Sequence, residues 1–75
     1  MKNLPEKFKT QVDELANTGL TSTGRVFVEN FMLAEVNRQG ADNREILLQR
    51  IRRATDAQKA AAIAVFDEFV KIYTR

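Results

Sequence analysis

The sequence predicts an all-α fold: a small antiparallel bundle of four helices at roughly 5–18, 23–38, 42–54 and 55–74, forming one domain over residues 1–75. Three observations lead there. Apolar residues recur three and four apart through most of the chain, no segment alternates strictly as a half-buried strand would, and capping residues fall where helices should start and stop.

Leu4-Pro5-Glu6 opens the first helix, with proline at the first helical position and an acid beside it. Phe8, Val12, Leu15 and Ala16 share one face, while Lys7, Lys9, Gln11, Asp13 and Glu14 fill the other. Gly19 supplies the left-handed residue that ends the helix, and Leu20 is expected to close back onto Leu15. Thr21-Ser22-Thr23-Gly24 is a turn rich in capping hydroxyls, from which the second helix starts. Eight of the eleven residues from Val26 to Val36 are apolar, and Glu29, Asn30 and Glu35 point in different directions. A helix apolar on all sides is buried on most of them, so this segment is expected at the centre of the bundle.

Asn37-Arg38-Gln39-Gly40 ends the second helix with Gly40 as the stop, and Asp42 and Glu45 form a D-x-x-E capping pair for the third. The third helix offers Ile46, Leu47, Leu48, Ile51 and Ala54 to the core. Its stripe continues almost in phase into Ala61, Val65 and Phe69, which favours one long helix. Against that, Arg50, Arg52 and Arg53 followed by Thr55-Asp56 read as a stop and a new start, and Gln58 would interrupt a continuous stripe. A break near Thr55 is therefore expected. In the last helix Ala61, Ala62, Val65, Phe66, Phe69, Ile72 and Tyr73 form a wide apolar face, Thr55 and Gln58 a capping box, and Lys71 and Arg75 a cationic end. Asp67 is read as the i,i+4 partner of Lys71.

A chain of 75 residues is near the lower limit for burying a core unaided, and this one has no staple. It contains no Cys and no His, which removes disulfides, thiolate metal sites and the commonest metal ligand and proton shuttle. No metal and no cofactor are expected. With its surplus of apolar helix surface the chain must pack well or pair with a second copy, and a homodimer is the expectation. Net charge is +2, so most charge is internally compensated and no polyanionic partner is demanded. No apolar run approaches the roughly 18 residues of a membrane span. The opening MKNLPEKFK has charge without an apolar stretch, so no signal peptide is expected and a cytoplasmic location is the default.

Catalysis finds little support. Without His or Cys, and with Ser22 the lone serine, nucleophilic triads and thiol chemistry are excluded. The expected function is that of a non-catalytic regulatory or adaptor protein. It would bind a protein partner through an apolar helical surface built from Val28, Phe31, Met32, Phe66, Phe69 and Tyr73 and rimmed by arginines. A nucleic-acid-binding regulator is the alternative. Arg38, Arg44, Arg50, Arg52 and Arg53 fall within sixteen residues that contain only Asp42 and Glu45 as acids, and the planar guanidinium suits phosphate. The second helix, the Gly40 turn and the third helix also have the outline of a helix-turn-helix, although no aromatic is interleaved with the basic residues. A third reading places a small phosphorylated ligand at Thr21–Arg25, where hydroxyls, a glycine and Arg25 meet a helix N-terminus; an ordinary helix cap uses the same residue types.

Overall fold

In the computed structural model, which describes residues 4–39 and 42–73, every regular element is helical. The elements are α1 (Glu6–Glu14), α2 (Ser22–Val36), α3 (Asn43–Arg50) and α4 (Asp56–Tyr73), with a 3-10 turn at Leu15–Thr18 that tightens the end of α1. Gly40, assigned as a stop from the sequence, and Arg75 lie outside the described residues.

Local chemistry accounts for most of the boundaries. The Pro5 carbonyl accepts from the Phe8 and Lys9 amides at 3.0 and 3.1 Å, so proline stands just outside the first turn, one place earlier than expected. Gly19 sits at φ +87° and ends the 3-10 turn, and Leu20 beyond it is buried. Thr21 caps α2 by accepting the Gly24 amide on Oγ1 at 3.1 Å. The capping box at the start of α4 is reciprocal: the Gln58 amide donates to Thr55 Oγ1 at 3.1 Å, and the Thr55 amide donates to Gln58 Oε1 at 3.0 Å.

The third and fourth helices are separate. After Arg50 the chain turns through Ile51–Ala54, and Gln58, which would have broken a continuous stripe, is used at the new start. Gln58 Nε2 also donates 3.0 Å to the Thr18 carbonyl, tying the beginning of α4 to the end of the 3-10 turn.

The junction of α2 and α3 departs from the expectation. Arg38 takes the left-handed conformation (φ 55°), and the Gln39 and Arg38 amides donate to Ala34 and Glu35 carbonyls at 2.8 and 3.1 Å. That is the paired hydrogen-bond pattern of a Schellman stop, closed on an arginine rather than a glycine. Asp42 is also left-handed (φ 58°) and its side chain caps nothing, so the expected D-x-x-E pair does not form. The neighbouring Asn43 anchors this end of α3 in a different way. Its buried amide donates to Glu35 Oε1 and to the Gln39 carbonyl, both at 3.0 Å, and so fastens the start of α3 to the end of α2.

The core draws on every element. Among the described residues twelve apolar side chains are buried, the largest being Phe8, Phe66, Phe69, Met32, Leu47 and Val28. On α2 the buried face is Gly24, Val28 and Met32, four residues apart, with Phe27, Phe31 and Val36 packed beside it. The Phe8 ring meets Phe69 edge-on at 5.1 Å and Tyr73 edge-on at 5.4 Å, while Phe69 and Tyr73 stack at 5.3 Å. The Cα radius of gyration is 11.2 Å, matching the value of about 11 Å for a compact domain of this length. One copy of the chain therefore closes its own core. No buried polar side-chain atom among the described residues lacks a hydrogen-bond partner.

Closure corrects one expectation directly. Val28, Met32 and Phe69 are fully buried and Phe66 is 2 % exposed, so these four cannot form a partner surface while the fold is intact. Helical periodicity marks which residues share a face; it does not say whether the chain's own helices cover that face.

Candidate binding groove

The first turn of α2, the turn at Ile51–Ala54 and the first turn of α4 converge on a groove of about 300 Å³. Its floor is Leu20, Phe27, Ile51 and Ala54: Leu20 and Ile51 belong to the core, and Phe27 and Ala54 are half-buried. Thr21, Thr23 and Gln58 supply its neutral polar wall. Arg50 and Arg53, both exposed, are the only charged residues that line it among the described residues. Gly24 permits the close approach that shapes the floor, because a Cβ there would lie 2.8 Å from Leu20 Cδ1.

The other expected contact residues are dispersed. Phe31 is half-buried beside the core, and Tyr73 is 50 % exposed at the far end of α4 against Phe8. Arg25 donates from Nη1 to the Leu20 carbonyl at 2.6 Å, which braces the α2 cap and occupies part of its fork. Arg38 forms the α2 stop. Arg44 Nε reaches the two Asp67 carboxylate oxygens at 3.1 and 3.4 Å, so Asp67 pairs across helices with Arg44, and the expected Asp67–Lys71 pair is replaced. Arg52, in the turn after α3, donates back to the Gln49 carbonyl in the last turn of that helix at 3.0 Å. Of the five arginines between 38 and 53, all exposed, Arg44 and Arg52 have side-chain partners within the chain. Two of them, Arg50 and Arg53, flank the groove.

Sequence reasoning missed the groove because its halves lie some thirty residues apart, at Leu20–Phe27 and Arg50–Gln58. The hydroxyl-rich α2 start and the arginine-rich α3 end were legible singly, and only packing of α2 against α3 joins them. No group of three or more acids able to hold a metal ion occurs among the described residues, and no described helix is long and apolar enough to cross a membrane. The chain matches no known protein family, no curated protein and no solved structure.

Proposed function

We propose that this chain is a non-catalytic binding protein, a small regulatory or adaptor module that engages a protein partner through the groove between α2 and the α3–α4 turn. The observation that supports the reading is the groove's composition: an apolar floor open to solvent, with arginine as its only charge. Apolar contact supplies affinity and the rim charge supplies orientation and encounter rate. The groove is built from Leu20, Phe27, Ile51 and Ala54, and includes none of the six residues expected from the sequence to form a partner surface.

Nucleic-acid binding has weaker support, because Arg44 is already paired and Arg52 is turned back onto the Gln49 carbonyl. A phosphorylated ligand at Thr21–Arg25 would compete with the Thr21 cap and with the Arg25–Leu20 hydrogen bond. Self-association would rest on the exposed Val26, Ile72 and Tyr73, since burial of the core in one copy removes the need for a second.

Peptide selection tests the reading. Short peptides enriched from a random display library on the immobilised chain should lose binding to a Phe27→Lys variant and keep it with Tyr73→Lys at the opposite end. Peptides indifferent to Phe27→Lys would remove the groove from consideration. A parallel titration with duplex and single-stranded nucleic acid at low salt should show no saturable binding.

A further inference from the structure

The proposed groove has a size and a charge that narrow its occupant, and the inference drawn from them rests on the binding reading above. Its volume of about 300 Å³ is at the bottom of the roughly 300–1,000 Å³ range in which pockets bury a ligand. It has room for an anchoring side chain or two, not for a helix laid along its length. The anchor must be apolar, because Leu20, Phe27, Ile51 and Ala54 form the floor.

Charge fixes what flanks the anchor. Arg44 and Lys59 have carboxylate partners, Asp67 and Asp56, whereas Arg50 and Arg53 have no ion pair among the described residues. Among the described residues no acid lines the groove to compensate them. Two planar forks beside an apolar pit match carboxylates in a bidentate manner and repel a cationic partner. The same wall includes the first turn of α2, whose dipole end adds to the preference for negative charge. A nucleic-acid strand is a poorer match: its phosphates need a continuous track of cations, and here two arginines border an apolar depression.

We propose that the groove captures an acidic peptide segment of a partner protein, in which one aliphatic or aromatic side chain is flanked by Asp or Glu. The apolar side chain enters between Leu20 and Phe27, and the carboxylates meet Arg50 and Arg53.

Three synthetic peptides with the same central Leu-Phe and flanking Glu, Gln or Lys residues distinguish this inference from the reading beneath it. Each is titrated into the isotope-labelled full chain while amide shifts are followed. The Glu peptide should shift Leu20, Gly24, Phe27 and Ile51 saturably and bind about tenfold more tightly than the Gln peptide, the scale of two exposed charge pairs. The advantage should shrink with salt. In the Arg50→Glu/Arg53→Glu variant the order should invert, with the Lys peptide now preferred; Arg50→Gln/Arg53→Gln should level the three, and a thermal melt of each variant checks the fold. Equal binding of the Glu and Gln peptides at the groove overturns the acidic-segment inference and leaves the groove reading standing. Shifts confined to other surfaces, or none with any of the three, overturn both.

Discussion

The two ends of the molecule use similar residues to opposite effect. At one end Phe8 and Phe69, both fully buried, pack edge-on, and the half-exposed Tyr73 covers them from the end of α4. At the other, Leu20, Phe27, Ile51 and Ala54 meet beneath an opening bordered by Arg50 and Arg53. Both ends look alike in a list of apolar positions. What separates them is the number of elements that converge. Phe69 is covered by α1 and by its own helix, while the half-buried Phe27 lines the groove together with residues of the short turn after α3. The short turn after α3 leaves the apolar floor of the groove open, whereas α1 and α4 close over Phe8 and Phe69.

Substitutions at the two ends sharpen the contrast. Phe69→Ala removes a fully buried ring and its two aromatic neighbours, and should cost about 3–5 kcal/mol. A domain of this length has only about 4–11 kcal/mol in total, so urea unfolding should show a variant close to losing its fold. Phe27→Ala removes a half-buried ring, and its midpoint should fall by much less, about 1–2 kcal/mol. Equal losses at the two positions would mean that the groove is as closed as the core.

The α2–α3 junction supplies two smaller effects. Asn43→Ala loses both interhelical hydrogen bonds of a buried amide, and the expected loss is about 1–2 kcal/mol in the same urea titration. An unchanged midpoint would show that these bonds do not hold α3 to α2. Arg38→Gly relieves a left-handed arginine in a Schellman stop, and should raise stability by about 0.5–1 kcal/mol. The smallest effect is at the surface pair: Arg44→Ala leaves Asp67 without its half-exposed partner, for a loss of no more than about 1 kcal/mol that high salt should erase.

These differences also mark how far the sequence was readable. The helices, the Thr21 cap, the Gly19 stop and the Thr55–Gln58 box depend on residues within a few positions of one another, and local chemistry is sufficient for them. The role of Asn43 was not legible, because its amide donates to Glu35 and to the Gln39 carbonyl, acceptors eight and four residues away that only the turn brings to it. Arg38 was not legible because its left-handed conformation runs against its preference and is held by the Schellman hydrogen bonds. The four buried residues expected on a partner surface were assigned the right helical faces and the wrong neighbours. The groove lies beyond periodicity altogether, since no spacing within one helix relates Phe27 to Arg53.

The central claim is that one copy of this chain buries its own core and keeps the α2–α3 end open for something else. Thermal unfolding followed across a wide range of protein concentrations tests it most directly. A self-sufficient core gives the same midpoint at every concentration, with a single species throughout. A midpoint that climbs as the protein is concentrated would mean that folding draws on a second copy, and the division between a sealed end and an open one would no longer hold.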